Sequence, residues 1–465
     1  EQIGKELGVD YLLTGNIRRA DDDLRITCRL VQTNPEEQTW ADNYDRHLDD
    51  IFAIQSQVAE EVARNLRANL TEAEKKKLEQ KPTESIAAYN IYLKGRETYN
   101  RRETEGFTEA IALFKQAIAL DPDFGLAYAG LADAWAQSYW AGTLSKQYLD
   151  SAQAAAEKAM ELAPEAAEGW KAAGLVEMYK GNLEAAERYY RKALEANPDH
   201  IPSIGNLANI QANKGNLPRA ISLLKQTIEL NPLDWFSYQI LGYYYIRLGL
   251  YERAGQALKS AGEIKSDHLS ILYRSSMYYL MTGENGKSRQ YLEEVIAQGK
   301  DDKFINRISS EMALYLNDTA LARQCISRVI GKNDIQPDNS YIPGVLGYLL
   351  WQEGKIDSAK TWLDPHLEHL EQQLAEDKDN RQHLYGIVIN HAIRGNRQEA
   401  IGYLERLLDA GDFRPVKEYT LDPRLSGLLN EPRFQQLMQR IEKRMEEQRL
   451  QVLAEEQRLK RPAVN

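Results

Sequence analysis

Residues 170–199 read WKAAGLVEMYKGNLEAAERYYRKALEANPD, and residues 204–233 read IGNLANIQANKGNLPRAISLLKQTIELNPL. Laid one over the other, the two lines share a frame. Trp170, Ala173, Gly174, Gly181, Ala186, Tyr190, Ala193 and Pro198 stand over Ile204, Leu207, Ala208, Gly215, Ala220, Leu224, Thr227 and Pro232, each 34 positions on. The small residue at Ala186 serves as a ruler. Ala152, Ala186, Ala220, Ala254, Ser288 and Ala322 follow one another at steps of 34, with Ala110 before them at 42 and Ala359 and Ala400 after them at 37 and 41. A fixed period of this length marks a stack of equal supersecondary units. Within each unit, apolar residues three and four apart give two amphipathic helices. Small residues lie where the helices cross and let the backbones approach. Gly181, Gly215, Gly249, Gly283, Gly354 and Gly395 fall between the two helices, where a residue with positive φ is wanted. Pro122, Pro164, Pro198 and Pro232 follow the second helix and prevent it from continuing.

This pattern resembles the tetratricopeptide (TPR) repeat family, whose signature is W-x2-L-G-x2-Y, then A-x3-F, then P. The resemblance covers residues 84–411 and implies a mainly α chain, an α-α superhelical TPR solenoid of about nine helix pairs. Departures are visible. Glu177 replaces the first-helix aromatic of the third unit, the proline is lost from the sixth unit onward, and Ser138 to Gln147 lengthens the turn of the second.

Residues 1–80 keep a different rhythm. Leu24, Ile26, Cys28 and Leu30 alternate with Arg25, Thr27 and Arg29, the period of a half-buried strand. Tyr11 to Arg19 and Gln38 to Tyr44 are its partners, joined through the turns Ala20-Asp21-Asp22-Asp23 and Asn34-Pro35-Glu36. Asp49 or Asp50 then caps a helix with Ile51, Ile54, Val58, Val62, Leu66 and Leu70 on one stripe. With an amphipathic helix in front, this reads as a small α+β domain. Ile3-Gly4-Lys5-Glu6-Leu7-Gly8-Val9-Asp10-Tyr11-Leu12-Leu13-Thr14-Gly15, Trp40 to Arg46 and Ile51 to Gln55 resemble the TolB-like domain that precedes TPR arrays in bacterial signalling proteins. That family's domain begins with a further strand and helix, so the domain here is expected to be truncated at its front. The resemblance implies an upstream adenylate or guanylate cyclase, serine/threonine kinase or winged-helix DNA-binding domain. The chain starts at Glu1 without a methionine, and a longer protein is expected.

After the array, residues 412–440 are expected to cap it, because terminal repeats need a polar outer face. Residues 441–465 form a charged helical tail in which Glu446-Glu447-Gln448-Arg449-Leu450 recurs as Glu455-Glu456-Gln457-Arg458-Leu459. It reads first as a solvated helix. The alternative is a short coiled coil joining two copies in a homodimer.

The net charge of −11, from 58 basic and 69 acidic residues, argues against nucleic acid as a partner. The short run Lys75-Lys76-Lys77 reads as a solvated helix face. Two cysteines, Cys28 and Cys325, allow neither a disulfide framework nor a cysteine-rich zinc site. No apolar run reaches the roughly 18 residues of a membrane span. The expected compartment is the cytoplasm. His366 and His369 lack the HExxH order and a third ligand, and Asp21-Asp22-Asp23 lacks a spaced calcium loop. There is no phosphate loop, nucleophile elbow or kinase loop. No catalytic site, metal or cofactor is therefore expected in this chain, and its function is expected to be that of a protein-interaction scaffold.

What remains is surface. In TPR proteins the first helix of each unit lines a concave groove. This resemblance implies a peptide-binding groove at Lys171, Met178 and Tyr179 of the third unit, with Leu175 beside them. It continues with Asn209 and Asn213 of the fourth, Gln239, Tyr243 and Arg247 of the fifth, and Tyr273, Met277 and Met281 of the sixth. Amides, aromatics and methionines suit an extended or helical peptide. Lys171 and Arg247 favour an acidic or carboxylate-bearing segment, or the protein's own upstream domain. The carboxylate clamp of chaperone-binding members is incomplete. Lys171 and Asn206 stand at clamp-like positions, but Leu175 and Ile240 fall where polar groups would be needed.

Overall fold

Period two gives way to period 3.6 after residue 47, and the folded chain changes from sheet to helix at the same place. The computed structural model describes residues 4, 9–20, 23–34, 36–47, 51–66, 71, 75, 78, 80–330, 342–412 and 414–460. The expected front helix, Asp21-Asp22, the caps Asp49 and Asp50, Leu70, Lys76-Lys77, Tyr341 and the last five residues lie outside them. The chain divides into two compact units, Glu1–His200 and Ile201–Asn465.

The first unit opens with β1 (Tyr11–Ala20), β2 (Asp23–Thr33) and β3 (Glu36–His47), an antiparallel sheet in the order β1-β2-β3. Ile17 pairs with Ile26, and Ile26 with Tyr44. Leu24, Ile26, Cys28 and Leu30 all turn to one buried face, as their alternation requires. Helix α1 (Ile51–Asn65) covers that face through Ile54 and Val58, while its Phe52 packs edge-on against Tyr89. Its expected stripe stops short, because the helix ends at Asn65 and Leu66 is exposed. On β1, the edge strand, Leu13 and Ile17 share the apolar face yet remain exposed.

Three helix pairs complete this unit: α2 (Ile86–Asn100) with α3 (Thr104–Leu120), α4 (Gly125–Trp140) with α5 (Tyr148–Leu162), and α6 (Ala167–Tyr179) with α7 (Leu183–Ala196). The second unit holds six more. They are α8 (Ile201–Asn213) with α9 (Leu217–Leu230), α10 (Trp235–Arg247) with α11 (Tyr251–Ile264), and α12 (Leu269–Thr282) with α13 (Asn285–Gln298). After them come α14 (Lys303–Tyr315) with α15 (Thr319–Val329), α16 (Ile342–Gln352) with α17 (Ile356–Glu376), and α18 (Arg381–Ile393) with α19 (Arg397–Asp409). A short α20 (Val416–Leu421), a 3-10 turn (Pro423–Leu428) and the long α21 (Pro432–Lys460) follow. The described residues are mostly helical, in TPR-like pairs, with the small sheet in front.

All nine ruler positions, from Ala110 to Ala400, are 0% exposed, Ser288 included. The reason is steric: a Cβ built on Gly174 would lie 2.6 Å from Tyr190 Cε1, and one on Gly130 would lie 2.6 Å from Phe114 Cε1. Small residues on one helix are the sockets for large residues on the next. The inter-helix turn uses a left-handed residue, as at Gly283 with φ 87°. One period on, Asn317 takes that role at φ 57°, since asparagine tolerates the region better than other side chains do.

Candidate binding faces of the two units

In the first unit, α2, α4 and α6 present a row of polar side chains on a shared face. Lys171 on α6 is 5% exposed, and its ammonium is paired with Asp133 on α4. It also lies 5.9 Å from the centre of the Tyr99 ring on α2. Burial pulls the lysine's pKa down, and Asp133 opposes that pull. About two turns along, Tyr179 donates a hydrogen bond to Gln137 Oε1 at 3.0 Å, and burial raises its phenol far above the usual value. Met178 is half-buried and Leu175 buried, both packed with Val176 beneath this row. Arg96 on α2 donates to Tyr92 through Nη1 at 3.3 Å. Its Nε is buried without a hydrogen-bond partner, and so is Asp133 Oδ1. Arg96 and Lys171 thus share Asp133, and Glu168 also acts on Arg96.

Asp133 and Gln137 were not among the expected groove residues, although the frame contains them. Discounting the insertion in the second unit, Gln137 is the frame equivalent of Tyr179, and Asp133 that of Leu175, each 42 positions earlier. The signal was present but displaced by the longer turn.

The second unit uses its expected groove residues differently, because its own C-terminal segment comes back to them. Asn213 donates to the Asn209 carbonyl at 3.0 Å and receives Arg381 Nη2 on its Oδ1 at 3.1 Å. Arg247 donates to Tyr243 OH at 3.0 Å. Burial would lower its pKa, but Tyr243, Glu418 and Asp412 together raise it. Arg274 sits 3.8 Å over the Tyr243 ring. Tyr273 is half-buried and Met277 buried, while the Met281 carbonyl accepts Lys417 Nζ at 2.6 Å. Gln239 is buried with its Oε1 unbonded.

The returning segment is held by buried charge. Asp422 accepts Arg424 Nη2 at 2.7 Å and Tyr385 OH at 2.8 Å, and its Oδ1 caps the 3-10 turn through Arg424 N. Arg424 reaches on to Glu311 at 3.3 Å. Asp412 accepts Tyr419 OH at 2.6 Å and Arg414 Nη1 at 2.7 Å. Burial alone would raise the Asp412 carboxyl, but Arg414, Arg247 and these hydrogen bonds hold it below the usual range. Burial pushes Glu311 and Glu418 up. The charged tail is not simply solvated. One helix, α21, runs through the expected border at residue 440. It buries Phe434, Met438, Ile441, Met445, Gln448 and Val452 at alternating steps of four and three. That spacing is an apolar seam of period 3.5. The charge runs on the other faces obscured it.

Metal chemistry finds little purchase. His366 is buried with a pKa lowered to about 4, chiefly by burial and then by His369 and His383. Among the described residues, no three His, Cys, Asp or Glu side chains are placed to hold an ion. Cys28 and Cys325 are both buried free thiols. Among the described residues no helix is long and apolar enough to cross a membrane.

Comparison with known proteins agrees with the repeat geometry. Family models described as tetratricopeptide repeat match residues 99–138 and 147–201, 177–241, and 237–268. The chain carries TPR repeats. A Rhizobium meliloti (strain 1021) protein named "Putative adenylate cyclase 3" is 31% identical over 130 residues, which are 28% of this chain and 22% of that protein. The chain thus matches about a fifth of that relative's length. Among solved structures, "Human IFIT1 dimer with PPP-AAAA" is 16% identical, with TM-score 0.44 over 77% of this chain and 78% of that one. "Crystal structure of YrrB: a TPR protein with an unusual peptide-binding site" is 22% identical, with TM-score 0.29 over 41% and 95%.

Proposed function

We propose that this chain is the protein-interaction and regulatory region of a bacterial signalling protein, cytoplasmic, and that it does no chemistry itself. The reading rests on TPR repeats, which bind proteins through surface side chains, and on the match to the cyclase relative. On this reading the front domain is TolB-like and couples an upstream cyclase domain to the array.

The partner face is that of α2, α4 and α6. One observation carries this: beside the Lys171–Asp133 pair, Arg96 Nε and Asp133 Oδ1 are both buried and unbonded. A carboxylate-bearing peptide would accept from Arg96 Nε, and Gln137 and Tyr179 would give its backbone partners. A fluorescent acidic octapeptide library titrated against the chain tests it. Binding should be salt-sensitive and should fall at least about tenfold on Arg96→Ala, with the melting temperature of the first unit kept. Affinity indifferent to both salt and Arg96 would remove this face from consideration.

A further inference from the structure

A second recognition site lies on α9, α10 and α11, and it is already filled. Glu456 of α21 receives Lys225 Nζ from α9 at 2.7 Å, Tyr245 OH from α10 at 3.1 Å, and Arg253 Nε from α11 at 2.8 Å. Three donors from three helices converge on one carboxylate. Two turns earlier, Gln448 Oε1 accepts the Leu217 backbone N–H at 3.0 Å, a donor at the start of α9 that has no partner within its own helix. Val452 is buried between them. Gln448, Val452 and Glu456 stand at i, i+4 and i+8, one stripe of a helix.

We propose that this face is a docking site for an amphipathic helix of a partner protein, with glutamine, an aliphatic residue and glutamate at i, i+4 and i+8. The end of α21 is its resident stand-in. The two halves of α21 are held differently. The first buries Phe434, Leu437, Met438, Ile441 and Met445. The second buries Val452 and is otherwise fixed by the polar bonds of Gln448 and Glu456. Water can replace such bonds at small net cost, so the last turns can leave while the first half stays. The doubled motif at 446–450 and 455–459 does not give two equivalent ligands. Nine residues turn a helix through two and a half turns, so the copies present opposite faces. Recognition reads the stripe, and the tether makes α21 a competitor that an incoming helix must exceed.

The test uses the full chain and a labelled peptide of residues 441–460. Wild-type chain, whose site is occupied, should bind the peptide at least about tenfold more weakly than Glu456→Lys chain. The same peptide carrying Glu456→Gln should bind neither. Hydrogen exchange in the Glu456→Lys chain should speed up in the last turns of α21 and leave α9 to α11 protected. If Glu456→Lys does not fold, Glu456→Gln takes its place. Equal peptide binding by both chains, or loosening of α9 to α11 together with α21, would make α21 a permanent part of the core and overturn the proposal. So would a wild-type dimer that dissociates on Val452→Asp, since the occupant would then be a second copy. Loss of the 441–460 peptide's binding on Arg96→Ala would place that peptide on the other face and overturn the proposal, whereas loss of the acidic octapeptide's binding tests only that other face.

Discussion

The two units are built from the same repeat and treat the same frame positions in opposite ways. In the first, a tyrosine of the expected groove is answered from the neighbouring repeat, Tyr179 by Gln137. In the second, its frame equivalents are answered from far along the chain, Asn213 by Arg381 and the Met281 carbonyl by Lys417. The difference shows that a TPR frame dictates where a side chain points and leaves open what it meets. The first unit keeps a face with Arg96 Nε and Asp133 Oδ1 unbonded; the second answers its residues from its own later segments.

The sharpest way to break this comparison is to remove one partner from each buried pair. Asp133→Ala leaves Lys171 buried and uncompensated, and Asp422→Ala leaves buried Arg424 with Glu311 alone. Each should cost about 3–5 kcal/mol, read as a lower urea midpoint. Hydrogen exchange should place the first loss in α2 to α7 and the second in α14, α18 and α20. Replacing both members, Asp133→Leu with Lys171→Met, should cost less than Asp133→Ala alone, because Lys171 is then no longer stranded and only Arg96 loses Asp133. If Asp422→Ala costs no more than about 1 kcal/mol, the returning segment is held by its apolar residues and not by charge.

Acid should probe both units through one buried histidine each. His200 and His366 have pKa values lowered to about 4, in each case mainly by burial. Each folded pKa is below the unfolded one, so above pH 6.5 both states are neutral and nothing is lost. As pH falls below 6.5 the unfolded chain takes up protons that the folded chain refuses, and stability declines toward pH 4. At pH 5 each histidine should have cost about 2 kcal/mol. His366→Leu should flatten the pH dependence of the second unit between 7 and 5 and leave that of the first. An unchanged slope would mean that His366 protonates in place.

What could be read from sequence follows the range of the interaction involved. The ruler alanines and the turn glycines depend on neighbours within one unit, so a period of 34 reveals them, and Gly181 has φ 91° as its place requires. Lys171 with Asp133 is an inter-repeat pair, legible once the insertion at 138–147 is subtracted. Glu456 meets Lys225 across 231 positions, and no periodicity carries that distance. The seam from Phe434 to Val452 hinted that α21 had something to pack on. It gave no indication whether that was a second copy or the chain's own array.

The smallest expected effect compares the two turns that break the glycine rule. Arg102 in the first unit has φ 56° and Asn317 in the second has φ 57°. Both sit in the left-handed region, where a Cβ crowds the following carbonyl at about 1–2 kcal/mol for most residues. Asparagine is more tolerant there because its short polar side chain bonds locally. Glycine relieves the crowding but loses about 0.5–1 kcal/mol in backbone entropy. Arg102→Gly should therefore raise the stability of the first unit by less than about 1 kcal/mol, and Asn317→Gly should change the second by only a few tenths of that. Matched urea melts resolve such a gap when both variants are run against the same parent. A gain at Asn317 equal to that at Arg102 would show that asparagine is strained there too. A loss at Arg102 would show that its guanidinium contributes more to the face beside Tyr99 and Lys171 than its backbone strain takes away.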